Sequence, residues 1–288
     1  MEQRLDRWRK ADHRFHYASK QLQQRRLLQT RIEPIALEIA KALEYLHANG
    51  ILFRDLKPDN VGFDASGRLK LFDFGLAKEL KPSLLLSKSS KKVCPQYKLT
   101  GNTGSRRYMA PEVAMGQPYN ASVDVYSFGI LCWELCTLEK SFAGYSTGKH
   151  MQRVVNIGER PPMQLTTIQQ SWPLALQRLV VRCWSPFADA RPRFAEVVAL
   201  LQDMLLRYDD TTNDDTTSSK RKAHRHHHHQ QQHSTTTGFG FLSPLSSRRI
   251  RNKTNGSLPD ASSKLPLNKL LPLLGTTRSR SWSFAHKT

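Results

Sequence analysis

The sequence predicts a mainly helical α+β domain that carries one small β-hairpin and ends in a long polar tail. Three observations predict it: helical apolar spacing in several stretches, one hairpin signal, and a shift of composition after Asp209. In chain order, Glu33 to Ala48 reads as a helix, with Pro34 suited to the first helical position and Ile35, Ile39, Leu43 and Leu46 on one face. Asn49-Gly50 ends it, and Ile51 to Phe53 comes next as a short strand. Val61 to Phe63 and Leu69 to Phe72 flank the turn Asp64-Ala65-Ser66-Gly67 and predict the hairpin. Asp124 opens the apolar run Val125 to Leu138, a buried central helix that it could simply cap. Lys149 to Gly158 and Trp172 to Trp184 read as further helices. Val197, Val198, Leu201, Met204 and Leu205 make Phe194 to Tyr208 the last core helix.

Chemistry concentrates in Phe53-Arg54-Asp55-Leu56-Lys57-Pro58-Asp59-Asn60, which is answered across the hairpin by Asp73-Phe74-Gly75. Phosphoryl transfer to a hydroxyl needs a base to orient the attacking oxygen, oxygen ligands for Mg²⁺, and a cation on the phosphate. Asp55 is the candidate base and Lys57 the candidate cation. Asn60 and Asp73 are the candidate metal ligands, because Mg²⁺ takes oxygen donors and keeps several waters. Each tripeptide alone is ordinary turn chemistry. Their order is not, since Tyr108-Met109-Ala110-Pro111-Glu112, Asp124-Val125-Tyr126-Ser127-Phe128-Gly129 and Arg191-Pro192 come after them in turn.

That ordered set resembles the eukaryotic protein kinases, in the serine/threonine form with a lysine two residues after the catalytic aspartate. The phrases Thr103 to Glu112 and Asp124 to Gly129 look most like the tyrosine-kinase-like group, which includes Raf-like enzymes. The resemblance implies a fold, cofactors and roles for particular residues. The implied fold is the mainly helical kinase C-terminal lobe over residues 32–208, with a small catalytic hairpin; residues 1–31 are a short basic helix and an insertion, solvated and without a specific partner. ATP and Mg²⁺ are the implied cofactors and protein Ser/Thr hydroxyls the implied substrate. Ser105 matches the hydroxyl that bridges the catalytic aspartate and lysine. By the same resemblance, Leu76 to Met109 is the activation segment, Arg54 its phosphate receptor, and Thr100 and Thr103 the candidate phosphosites; Ser83, Ser87, Ser89 and Ser90 read as ordinary loop residues. Glu112 and Arg191 match a buried ion pair, and Asp124 the carboxylate that holds the catalytic-loop backbone. Phe53 stands where the family usually has His, keeping the apolar contact with Phe74 and losing the polar one.

Two readings of the whole then stand. No glycine precedes Gly50, so the glycine-rich loop and strand lysine that kinases lay over ATP are absent from these residues. Either this is a serine/threonine kinase recorded without its N-terminal lobe, or a kinase-derived binding module that is catalytically inactive. In both cases these residues alone are expected to turn over negligibly.

The charge is +20, and Asp209 onward contributes 13 Lys/Arg against 5 Asp/Glu, so the folded part owns +12 of it. Such a surface favours acidic partners such as nucleic acid, anionic lipid or acidic substrate segments without naming one, and the plain reading as a solvated basic surface is preferred, with nucleic acid the less expected partner. Cys132 and Cys136 share a helix face in an apolar run and read as core; with no Cys-x-x-Cys, a reducing compartment fits. Nothing near Met1 resembles a signal peptide and no apolar run is long enough to span a membrane, which points to the cytoplasm. Lys220-Arg221-Lys222 with Arg225 reads either as a nuclear import signal or as a solvated run. Residues 209–288 hold too little apolar surface to offset chain entropy, so disorder is expected there, and His226 to His229 is taken as low complexity before metal site.

Overall fold

The computed structural model describes residues 1–12, 19–86, 95–163 and 172–208. Of the described residues, those from Met1 to Leu206 form one compact unit, and Arg207 and Tyr208 fall outside it. Ser87, Ser89, Ser90, Cys94 and the whole 209–288 segment, with its basic and histidine runs, lie outside the described residues.

Helix α1 is Glu2–Asp12, and α2 is Lys20–Leu27. The backbone then continues through a π-helical stretch, Leu28–Leu37, into α3, Glu38–Ala48. The expected helix start at Glu33 is therefore corrected: Pro34 sits inside a helix that runs unbroken across position 31. Proline lacks the N–H and crowds the carbonyl four residues back, and the wider π turn is a recognised way to accommodate such a defect. Ile32, Ile35, Ile39, Leu43 and Leu46 are all buried, and Asn49 and Gly50 (φ +70°) stop the helix.

Strand β1, Ile51–Leu52, pairs antiparallel with β4, Lys78–Glu79; β2, Val61–Phe63, pairs with β3, Leu69–Leu71, in the register Val61 to Leu71. The hairpin turn is built by Asp64, whose Oδ1 accepts from the amides of Ser66 at 3.0 Å and Arg68 at 2.9 Å. The Ser66 hydroxyl, donating to the same oxygen at 2.7 Å, and then the Arg68 amide hold its carboxyl down at about 2. Gly62 leaves room for the edge of the Phe72 ring, which a Cβ there would displace.

After the four-residue α4, Pro111–Ala114, comes α5, Ser122–Thr137. Every residue of α5 from Val123 to Thr137 is buried, which marks it as the central helix. It packs against α7, Leu174–Cys183, and against the π-helical stretch. At Gly129 a Cβ would stand 2.8 Å from that of Cys183, so the glycine sets how closely α5 and α7 approach. Cys132, Cys136 and Cys183 are buried free thiols. Helix α6, Thr147–His150, continues as a π turn over Met151–Asn156, and α8 spans residues 194–208.

The basic N-terminal region is not merely solvated. Arg31, 5% exposed, donates to the carbonyls of Leu135 at 3.3 Å and Cys136 at 3.2 Å, and Arg9 Nε donates to Leu138 O at 2.6 Å. These arginines satisfy the orphan carbonyls at the negative end of α5. The expectation of a solvated insertion without a partner is thereby corrected. Among the described residues, no helix is long and apolar enough to cross a membrane.

Candidate active site

The loop after β1 turns because Arg54 adopts a left-handed backbone, φ +66°. A non-glycine residue there is strained by roughly 1–2 kcal/mol, so neighbours must hold it. Asp124, fully buried near the start of α5, does so: its Oδ2 accepts from Phe53 N at 2.8 Å and its Oδ1 from Arg54 N at 2.7 Å. His47 Nε2 lies 2.8 Å from the same carboxylate. Asp124 thus ties α3, the loop and α5 together, and the reading of it as a plain cap is corrected, since Ala121 is the N-cap of α5.

The held loop presents Asp55, 6% exposed, to three donors. Lys57 Nζ donates to Oδ2 at 2.8 Å, Asn60 Nδ2 to the same oxygen at 2.9 Å, and Ser105 N to Oδ1 at 2.7 Å. Burial works to raise its pKa, but the Lys57 and Ser105 bonds outweigh it, and the carboxyl ends below its ordinary value. Lys57 Nζ also donates to Ser105 Oγ at 2.9 Å, joining a loop and a segment 48 positions apart. That approach depends on Gly104 (φ +98°), where a Cβ would meet the Arg54 carbonyl oxygen. Asp55, Lys57, Asn60 and Ser105 therefore form one cluster.

Asp73 is placed differently. It too is left-handed, φ +57°, but it is exposed, and its protein contact is Gly75 N on Oδ1 at 3.2 Å. Its other oxygen and Asn60 Oδ1 accept no hydrogen bond among the described residues. The pair offers oxygen donors of the kind a hard cation takes. No group of three His, Cys, Asp or Glu able to hold a metal occurs among the described residues. Phe53 is buried and meets Phe74 edge-to-face at 5.2 Å beneath this turn.

Along the next segment, Arg54 Nε donates to Leu76 O at 2.6 Å, while its NH1 reaches Thr100 Oγ1 and Tyr119 OH, each at 3.0 Å. The Thr103 hydroxyl is not among the arginine's partners and donates instead to the carbonyls of Thr100 and Gly101 at 3.1 Å. Further on, Arg191 grips Glu112 in two bonds of 2.5 and 3.0 Å, with the arginine side chain fully buried. Sequence reasoning missed His47, Tyr119 and Glu134, which receives Tyr108 OH at 2.9 Å. His47 had one signal, a polar side chain in line with the apolar stripe of α3.

Comparison with known proteins gives this geometry a family. The family model described as "Protein kinase domain" matches residues 10–202. Serine/threonine/tyrosine-protein kinase HT1 of Arabidopsis thaliana is 38% identical over 168 residues, covering 58% of this chain and 38% of that protein. Dual specificity protein kinase shkB of Dictyostelium discoideum is 40% identical over 165 residues, 57% of this chain and 23% of its own length. Serine/threonine-protein kinase VIK of Arabidopsis thaliana is 38% identical over 174 residues, 58% and 36% respectively. The chain thus spans less than two fifths of these curated relatives. Family match, relatives and mainly helical fold agree that this chain belongs to the eukaryotic protein kinase family, in its tyrosine-kinase-like group.

Proposed function

We propose that this lobe transfers the terminal phosphoryl group of ATP to serine or threonine hydroxyls of a protein substrate. The observation that carries the reading is Asp55 held among Lys57, Asn60 and Ser105. Ionised at neutral pH, Asp55 accepts the hydrogen bond of the acceptor hydroxyl and orients it. Because its carboxyl is held low it is a weak base, so the proton leaves late, as the new O–P bond forms and the bond to the departing nucleoside diphosphate breaks. Lys57, already bridging Asp55 and Ser105, places its positive charge where the transferring group passes. Bound Mg²⁺ would screen the phosphate charge, and Asn60 Oδ1 and the Asp73 carboxylate are the free oxygens suited to it.

Arg54 supports a regulatory reading of the same site. A phosphate on Thr100 would fall on a guanidinium already 3.0 Å from its hydroxyl, whereas Thr103 would have to turn away from two carbonyls. Thr100 is the better candidate phosphosite.

The test is a single-turnover assay with radiolabelled ATP and this chain in excess over a protein substrate, with phosphoamino-acid analysis of the product. Because repeated turnover by these residues alone is expected to be negligible, the expected result is slow single-turnover formation of phosphoserine or phosphothreonine that Asp55→Asn abolishes. Incorporation that Asp55→Asn leaves unchanged, or none at all, contradicts the reading.

A further inference from the structure

Two cations beside the acceptor position have no role in the phosphoryl-transfer chemistry. Arg106 and Arg107 begin the 3₁₀ turn Arg106–Tyr108, immediately after Ser105. Both are half-buried, and neither guanidinium has an ion-pair or hydrogen-bond partner among the described residues. Lys57 in the same neighbourhood is matched by Asp55 at 2.8 Å, so the two arginines are the cations there without a carboxylate partner among the described residues.

The turn that carries them is rigid. Ser105 N is bonded to Asp55 at its start, and Tyr108 is fastened at its end from two sides. Tyr108 OH donates to Glu134 at 2.9 Å, and its carbonyl accepts from Ser127 Oγ at 2.7 Å. Glu134 does not neutralise the arginines by contact. It is fully buried, with one oxygen taken by Tyr108 and the other by Ser141 N and Oγ at 2.8 and 2.6 Å. The α6 side supplies no negative charge either. His150 is 4% exposed and neither ring nitrogen has a partner. Burial first, then Arg106, Arg107 and Arg160, push its pKa down and keep it neutral near pH 7. The surface beside Ser105 is therefore rigid and carries two arginines that no carboxylate contacts among the described residues.

We infer that Arg106 and Arg107 select protein substrates bearing an acidic side chain one or two residues from the acceptor hydroxyl. This rests on the phosphoryl-transfer reading, because it is Asp55 that fixes where the acceptor sits. Ser105 touches Asp55 through its own amide, so a hydroxyl aimed at Asp55 lies next to residue 105. An extended peptide advances about 3.3–3.6 Å per residue. Its first or second neighbour then lies over the turn, within reach of a long arginine side chain. Guanidinium binds carboxylate in a planar two-bond fork, which rewards an acidic neighbour and repels a basic one.

The experiment measures binding, without ATP, of fluorescent serine peptides to the full chain by anisotropy. Glu, Gln or Lys is placed at each of the two positions on either side of the serine. The expected result is about tenfold tighter binding of the best Glu peptide than of its Lys counterpart. Arg106→Gln should shrink that ratio toward one and Arg106→Glu should invert it, with unchanged melting temperatures as the fold control. Equal binding of Glu and Lys peptides, no binding of either, or a Glu preference that survives both variants overturns the inference. A charge preference without any phosphate transfer would sink the catalytic reading alone, and transfer without a charge preference would sink this one alone.

Discussion

The two aspartates of the site live in opposite surroundings. Asp55 is buried and takes three donors from its own lobe, on a loop that Asp124 holds by two backbone amides. Asp73 is exposed, left-handed and touched by one glycine amide. The first is built in advance by folding, the second is left open for a ligand. Preorganised groups cost nothing to arrange at the moment of reaction, whereas an exposed carboxylate retains free oxygens for a cation.

That contrast can be broken at the anchors of the rigid side. The largest effect is expected from Arg191→Met, which strands the Glu112 carboxylate and should lower unfolding free energy by about 3–5 kcal/mol in urea denaturation. Next comes Asp124→Ala, which leaves the Phe53 and Arg54 amides unpaired; a loss of about 3 kcal/mol is expected, read the same way. A loss below about 1 kcal/mol from Asp124→Ala would mean that neither amide depends on the carboxylate.

A smaller effect concerns pH. The Asp55 carboxyl is depressed in the folded chain, so its stabilisation is complete above the unfolded value of about 3.9 and is lost as pH falls through the lower folded value. Asp55→Asn should remove that component, so acid denaturation curves of the two proteins converge below about pH 4. Curves that stay parallel would contradict it. The smallest stability effect is expected from Asp73→Asn, within about 0.5 kcal/mol of the parent, because nothing in the lobe leans on this side chain. A loss above about 2 kcal/mol would show Asp73 to be structural, and the contrast would fail.

Local patterns were legible in the sequence; long-range partners were not. The hairpin Val61–Phe63 stood where its turn residues placed it, and the apolar run after Asp124 became the central helix. Asp55, Lys57 and Asn60 share one loop, so their spacing alone brings them together. The start of α3 was misplaced because Pro34 favours a first turn, yet the π stretch absorbs it inside a longer helix. His47 meets Asp124 across 77 positions and Arg54 meets Tyr119 across 65, separations that no local period encodes. Arg9 and Arg31 looked like solvated charges because the carbonyls they satisfy belong to a helix more than 100 positions away.

The most direct test of the account is a titration of the isotopically labelled chain with ATP and Mn²⁺, a paramagnetic substitute for Mg²⁺, read by NMR line broadening. Broadening centred on the Asn60 side-chain amide and on the backbone amides of Asp73, Phe74 and Gly75 is predicted, with most of it lost in Asp73→Asn. Broadening centred elsewhere, or undiminished in Asp73→Asn, would contradict the division between a preformed Asp55 cluster and an open, cation-binding Asp73.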